Sequence, residues 1–599
     1  MSQAQKKPKA QAASGQRRSA RAKTKKQQHS ANARLQIIGG AGALVLLLAL
    51  VFLPRIFGQP ADIAEPAFVE PPIEAADEVT EPIDDEISEA IMEPEPETAS
   101  EVTVDLPMLE IEQSESVKSK KINLRHSAIE KNKRVGSYER ENPIAMGTPE
   151  DYAQLPGVTT FRGDHWRGNS AYGTIPSNPS KLSVEWSVNV GGIDDWSGVG
   201  WTGQAAIVEW PEAVRQQMNI KASKKEKDNL REVIIGALDG KIRFIDLEDG
   251  KATRKEISIG APIKGSVTID PRGYPILYCG QGLFEVGGRT VKCGTRVISL
   301  IDYKLLYFLD GEDKFRTRNW YCFDAAPIVD GATDTMFQIG ENGLVYALNM
   351  NTDYDQETGK IKMSPKLDRW GYKSNVTTRP GMENSLAIYN HYGFFVDNSG
   401  LMICLDLNAL KPIWTLNVGD DTDATTAIDQ DEDGLWLYTG NEMDLRGDSG
   451  NIQMRCIDAL TGKQVWKREA SVSNRTLAGA FASPAVGQQG LSDLVFFHIS
   501  KTSEGATLFA LDKKTGKSAW QQSMGTYGWS TPSLIYDKNG KGYILIGSSN
   551  GKLRLIDGLT GKLVTSISLE NNIEGSPAVY DDMAVVSTRG GKIFGVKIS

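Results

Sequence analysis

The chain has 599 residues, of which 40% are hydrophobic and 24% charged, the ordinary balance of a protein that buries a core. The net charge of −9 conceals segregation, because residues 1–34 carry ten Lys/Arg and no acid, residues 56–115 carry nineteen Asp/Glu and no base, and residues 118–140 turn basic again. The five cysteines, Cys279, Cys293, Cys322, Cys404 and Cys456, form no C-x-x-C pair, which excludes zinc-cluster and thioredoxin-like readings.

In chain order, the basic tail (1–34) runs into Leu35–Leu53, nineteen residues without a charge. As a helix this stretch spans about 28 Å, the thickness of the hydrocarbon layer of a bilayer. The preceding lysines and arginines place the N-terminus in the cytoplasm and send the rest across. The long basic region and the lack of a small-x-small site point to an uncleaved anchor rather than a signal peptide. The tail itself serves topology and attraction to anionic lipid; nucleic acid is not expected as a partner.

Residues 54–117 are acidic and Pro-rich, with Pro71-Pro72 and Glu93-Pro94-Glu95-Pro96-Glu97. They self-repel, lack core-forming residues, and read as a disordered stalk. Residues 118–154 read as a basic, solvated linker.

From residue 155 onward the chain repeats. Ala510-Leu511-Asp512-Lys513-Lys514-Thr515-Gly516-Lys517-Ser518-Ala519-Trp520 is matched by Cys456–Trp466, and shorter copies centre on Asp557 and Asp246. Weaker copies centre on Asp302, Asn349 and Asp406, so the steps along the seven positions are 56, 47, 57, 52, 54 and 45 residues. Each step holds one four-stranded antiparallel unit. An alternating apolar strand precedes each Asp. A turn follows, in which Asp and Thr oxygens bond backbone amides and Gly takes positive φ, and the next strand often ends on a Trp. Cys404 and Cys456 occupy the small-residue position of the repeat and read as core fillers. Cys279 and Cys293 are candidates for a disulfide across one hairpin.

A second motif, as in Ala326-Pro327-Ile328-Val329, Ser483-Pro484-Ala485-Val486, Thr531-Pro532-Ser533-Leu534 and Ser576-Pro577-Ala578-Val579, marks the innermost strand, whose first position tolerates Pro. The last copy lacks its outer strand, and Leu182–Val188, with its own Trp186, supplies it. Joining first to last closes the ring.

These residues resemble the pyrroloquinoline-quinone (PQQ) repeat, A-x-D-x-x-T-G-x-x-x-W. Phe161-Arg162-Gly163 is similar to the lead-in of PQQ-like propellers. The resemblance covers residues 155–599 and implies an all-β, eight-bladed PQQ-like β-propeller, with seven blades as the fallback. The chemistry does not carry over so readily, because the family joins quinoprotein dehydrogenases with non-enzymatic scaffolds of the BamB type. Adjacent cysteines that sandwich the quinone in many of the dehydrogenases are absent here, and no c-haem C-x-x-C-H is present. PQQ is therefore not expected.

With this strand order, the loops from each outer strand to the next inner strand gather at one mouth. The candidate ligand-binding residues there are Trp196, Trp201, Arg318, Trp320, Trp370, Tyr372, Arg379, Asp421, Asp423, Arg475, Trp529 and Glu574, whose aromatic and charged mixture suits a protein or cell-wall component. The alternative is that several of the Trp residues plug the channel or pack between blades. Asp429, Asp431 and Asp433 stand in a D-x-D-x-D-G loop and are the candidate ligands of a structural Ca²⁺, set against an ordinary acidic turn. Two Arg-Gly-Asp triplets, Arg162–Asp164 and Arg446–Asp448, are not read as integrin ligands, and the five scattered His form no metal set.

The leading expectation is a single-pass membrane protein displaying a non-catalytic binding or scaffold propeller outside the cytoplasm at the cell envelope. The alternatives are a PQQ-dependent dehydrogenase with a degenerate site, and a ligand sensor that signals through a partner.

Overall fold

The computed structural model describes residues 106–168, 170–201, 203–473, 478–525 and 527–599. The basic tail, the apolar stretch Leu35–Leu53, the stalk up to residue 105, and Arg475 lie outside the described residues. Among the described residues no helix is long and apolar enough to cross a membrane.

Among the described residues the repeats fold as antiparallel four-stranded units, each running from inner to outer strand. The first holds Ala206–Glu209, Arg231–Gly236, Lys241–Asp246 and Ile257–Ser258, and the last holds Ala578–Tyr580, Met583–Thr588, Lys592–Ile598 and Leu182–Asn189. Leu182–Asn189 pairs with Lys592–Ile598 over its full length, from Ile598↔Leu182 to Lys592↔Asn189. N- and C-terminal strands thus share one sheet, and the edge that either would expose alone is closed. Strands bearing the Pro motif take the innermost position, as Ile328–Asp330, Ala485–Val486, Ser533–Tyr536 and Ala578–Tyr580.

The repeat motif is explained by contacts between successive units. The indole N–H of Trp466 donates to the Lys513 carbonyl at 2.7 Å, that of Trp520 to Gly558 at 3.1 Å, that of Trp414 to Ala459 at 2.7 Å, and that of Trp186 to Leu247 at 2.7 Å. Each acceptor lies in the Asp-to-Gly turn of the following unit. The turn's glycine faces the same ring: Gly516 has φ +68°, and a Cβ there would stand 2.6 Å from Trp466 Cδ2. Gly is required both for the left-handed backbone and for the close approach of the indole. The Asp holds the turn, as Asp512 Oδ1 accepts from the Thr515 amide at 2.7 Å and its hydroxyl at 2.6 Å.

The lead-in segment fills the centre. Arg162 and Arg167 are fully buried. Arg162 donates to the carbonyls of Pro532 at 2.9 Å and Pro484 at 3.4 Å, and Arg167 to those of Leu386 at 2.9 Å and Ala326 at 3.1 Å. Two guanidinium forks therefore tie four inner strands together, and burial lowers both to about 10. The first Arg-Gly-Asp triplet is thus an internal tie.

Two expectations need correction. Residues 118–154 are not a solvated linker. Arg125–Glu130 pairs antiparallel with Lys366–Lys373 and Lys133–Val135 pairs with Arg125–Glu130, extending the third unit to six strands. Ala128 and Ile129, consecutive and therefore on opposite faces of the strand, are both buried, an apolar pair too short to stand out among the charged residues around it. The docked segment begins earlier still, since the Leu109 amide donates to Tyr389 Oη at 2.6 Å. Cys279 and Cys293 do not face each other either: Cys279 Sγ turns to the Gly280 carbonyl, whereas Cys293 Sγ lies 3.1 Å from Cys322 Sγ. Cys404 and Cys456 are buried core residues.

Candidate functional site

Where each inner strand begins, a girdle of hydrogen bonds links neighbouring units. The amide of Ala326 donates to Ser385 Oγ, Ser385 to Thr425 Oγ1, Thr425 to Ser483 Oγ, Ser483 to Thr531 Oγ1, and Thr531 to Ser576 Oγ, over 2.8–3.2 Å. The Ser576 amide reaches the Gly203 carbonyl, and Gln204 continues to Ser266 Oγ at 2.8 Å. The small hydroxyl residues before the Pro motif are therefore donors and acceptors between units.

The residue two positions ahead of each girdle member lines the mouth. In unit order these are Lys264, Asp324, Glu383, Asp423, Phe481, Trp529 and Glu574. The ring has two characters. Phe481 stacks on Trp529 at 4.8 Å, and Trp529 meets Trp201 edge-on at 5.3 Å and Tyr527 at 5.7 Å, making an aromatic arc. Trp196 lies 5.9 Å from Trp201. Trp201 takes φ +57°, a backbone conformation unfavourable for a bulky residue and found where the surroundings enforce it.

Opposite stands an acidic arc. Asp324, Glu383 and Asp423 are joined by Glu341 and Glu442 from hairpin turns and by Asp421 from the adjoining loop. The Asp423 amide donates to Glu442 Oε1 at 2.8 Å. Burial, reinforced by neighbouring carboxylates, raises Asp324 to about 6 and pushes Glu341, Asp421, Asp423 and Glu442 well above the carboxylate range. Asp324 Oδ1, Glu341 Oε1 and Asp423 Oδ1 lack a hydrogen-bond partner, and Asp324 Oδ2 faces the Lys264 ammonium.

Lys264 joins the arcs. Its Nζ lies 3.4 Å from Asp324 Oδ2, 4.5 Å from the Trp201 ring centre and 5.0 Å from that of Trp196. Burial pulls its basicity down, but Asp324 and Glu341 outweigh this and hold the ammonium above the usual lysine value. Arg318 Nη1 stands 4.0 Å from Glu341 Oε2, Arg379 pairs with Asp444, and Arg446 Nε meets Asp420 Oδ2 at 3.0 Å. Glu574 is saturated, receiving Tyr527 Oη at 3.2 Å, Asn572 Nδ2 at 2.8 Å and the Trp201 amide at 3.2 Å.

Of the residues expected at the mouth, Trp196, Trp201, Arg318, Arg379, Asp421, Asp423, Trp529 and Glu574 are brought together there. Trp320 sits at the edge, half-buried against Phe284 at 4.9 Å. Trp370 and Tyr372 are not loop residues. They belong to the strand Lys366–Lys373 and are buried, Tyr372 Oη donating to Asp397 Oδ2 at 2.8 Å, because this outer strand is covered by Arg125–Glu130.

The D-x-D-x-D-G acids do not converge. Asp429 Oδ2 pairs with Lys513 Nζ at 2.8 Å, Asp433 Oδ2 with Lys514 Nζ at 2.6 Å, and Asp431 Oδ1 accepts from the amides of Asp433 and Gly434 and from Trp436 Nε1. Each carboxylate serves a separate partner, as in an ordinary hairpin turn. Lys264, Asp324 and Glu383 also belong to the mouth, signalled by their offset of two from the girdle position, whereas Glu341 and Glu442 reach it from hairpin turns that carry no such signal.

The family model described as "Outer membrane protein assembly factor BamB" matches residues 341–530 and 504–598. Curated proteins of that name are similar over parts of the chain: that of Kangiella koreensis is 27% identical over 143 residues, 23% of this chain and 30% of the relative. That of Yersinia pestis is 28% identical over 148 residues, 24% of this chain and 36% of the relative. That of Moranella endobia is 25% identical over 230 residues, 36% of this chain and 55% of the relative. The chain thus spans about a third to a half of the length of these relatives. From its repeat motif, its strand topology and these matches, the chain is identified as a PQQ-like repeat β-propeller.

Proposed function

We propose that the chain is a membrane-anchored, extracytoplasmic, non-catalytic binding or scaffold protein of the cell envelope, whose eight-bladed ring recognises a protein or wall component at its mouth. The observation that carries this reading is the bipartite ring, in which one side chain per unit makes an aromatic arc facing a carboxylate arc. Aromatic anchors beside desolvated charge are what recognition of a partly basic partner requires. The girdle that links successive units and the strand shared by the two ends support eight blades. Segregated charge around Leu35–Leu53 supports the anchor and an N-terminus inside. The likeness to BamB, a factor named for outer membrane protein assembly, supports a scaffold role at an envelope. Crosslinking in native membranes followed by mass spectrometry tests the proposal: a discrete partner is expected, and its absence under efficient crosslinking counts against a scaffold.

The dehydrogenase reading meets the charge of the mouth. PQQ is a tricarboxylate, and the donor set here is dominated by Asp324, Glu341, Glu383, Asp423 and Glu442 against Lys264 and Arg318, so the quinone does not fit. Titrating the detergent-purified chain with PQQ and Ca²⁺ separates the two readings. Stoichiometric quinone binding with dye reduction on alcohols or sugars would favour the enzyme.

A further inference from the structure

We propose that Cys293 and Cys322 are a disulfide-forming pair that covalently fastens the connection leading to Asp324. Their sulfurs stand 3.1 Å apart, and both residues are fully buried. Closing an S–S bond of about 2.05 Å needs a shift of only about 1 Å between them. Cys293 directly precedes the strand Gly294–Ser299. Cys322 lies in the connection from the outer strand Leu305–Asp310 to the inner strand Ile328–Asp330 of the next unit.

The two backbones are held close. The Gly311 amide donates to the Cys293 carbonyl at 2.9 Å, and a Cβ on Gly311 would stand 2.1 Å from the Tyr321 carbonyl oxygen. One glycine thus separates Cys293 from the chain beside Cys322. The Glu341 amide donates to the Cys322 carbonyl at 3.1 Å, and the Phe323 amide to the Gln281 carbonyl at 3.0 Å. Gln281 Nε2 in turn donates to the Lys292 carbonyl at 2.9 Å. Phe284 covers the pair, stacked on Tyr321 at 4.5 Å and edge-on to Trp320 at 4.9 Å. The other cysteines are not rivals. Cys279 Sγ turns to the Gly280 carbonyl, and Cys404 and Cys456 lie in other core clusters.

The oxidant is a second disulfide, carried by a small thiol or by a thiol–disulfide oxidoreductase. The thiolate of one cysteine attacks it, forming a mixed disulfide and releasing one thiol. The other cysteine, deprotonated, attacks its partner's sulfur, closing Cys293–Cys322 and releasing the second thiol. The pair gives up two electrons and two protons, and the oxidant disulfide becomes two thiols. Burial and the adjoining Cys293 push the Cys322 thiol far above its ordinary value, so thiolate is scarce and exchange is slow in the folded chain. Closure in the cell rests on the extracytoplasmic placement proposed above, whereas closure in vitro does not.

The test incubates the reduced full chain in detergent with excess oxidised glutathione, in urea just sufficient for an alkylating agent to reach the buried thiols. Remaining thiols are blocked in strong denaturant, and the chain is digested without reduction for mass spectrometry. Two of the five thiols should disappear, giving one Cys293–Cys322 peptide pair lighter by two hydrogens than its parts and reopened by dithiothreitol. C279A should match the parent, and C322S should form no internal disulfide. The bond closes a loop of about thirty residues, so the oxidised parent should unfold at a higher temperature than the reduced parent, a shift that C293A lacks. Five surviving thiols in urea that admits the alkylating agent, a bond from Cys279 instead, glutathione adducts without closure, or no thermal shift would overturn the proposal.

Discussion

Lys264 Nζ stands 3.4 Å from Asp324 Oδ2 and 4.5 Å from the centre of the Trp201 ring, so one buried ammonium fastens the acidic arc of the mouth to the aromatic arc. Removing it with K264Q leaves Arg318 as the near cation among several buried carboxylates. Breaking one side of a buried ion pair costs about 3 kcal/mol, whereas removing both partners costs much less. Chemical unfolding should show K264Q clearly destabilised and the double variant K264Q/D324N substantially restored. Additive losses would mean that the two side chains act separately.

The Trp466–Gly516 contact predicts how the units adhere. Trp466→Ala removes a buried indole and its bond to Lys513, and should lower stability by about 3–5 kcal/mol. Trp466→Phe keeps most of the packing and should lose about 1 kcal/mol with the hydrogen bond. Gly516→Ala, at φ +68°, should cost more than 1 kcal/mol because the new methyl meets the indole. Equilibrium denaturation of the three variants checks the order.

Arg162 is predicted to be a structural tie that lysine cannot replace. Its fork reaches Pro532 and Pro484 at once, and an ammonium lacks that reach. Both R162K and R162M should lose about 2–4 kcal/mol, since carbonyls are left unpaired in a dry centre. Near-normal stability of R162K would contradict the tie.

Two buried histidines set an acid limit. Burial lowers His165 and His498 to about 4. Between pH 6.5 and 4 the unfolded chain takes up protons that the folded imidazoles refuse, so this stability is present above pH 6.5 and lost on acidification. Asp164 and Asp324, raised to about 6, act in the opposite sense: folding gains as pH falls through 6. H498Q isolates one imidazole. The stability advantage of the parent over H498Q should shrink by about 2 kcal/mol from pH 7 to pH 4.5. A constant difference would show that His498 protonates in the folded protein.

The repeat was legible because local chemistry wrote it: the Asp that holds a turn, the Gly that admits an indole, and the Trp that reaches the next unit recur at readable offsets. The closing strand Leu182–Asn189 was legible for the same reason. The docking of Arg125–Glu130 was not, because its burial depends on a sheet edge more than 230 residues away, and its exposed basic side chains dominate the composition. Trp370 and Tyr372 look like mouth aromatics until that strand covers them. The acidic arc needs the ring to exist first, since Asp324 and Glu383 meet only because successive units place equivalent positions side by side, and Glu341 reaches them from the hairpin turn between.

Recognition at the mouth is most directly tested by placing a photo-crosslinking residue at Asp195, exposed beside Trp196, and in parallel at Leu559, 63% exposed in the Asp557–Gly561 turn at the other end of the strands. In intact cells the Asp195 position should give an adduct of discrete mass that Trp529→Ala abolishes, while Leu559 gives none. An adduct at Leu559 alone, or one at Asp195 indifferent to Trp529, would contradict recognition at the mouth.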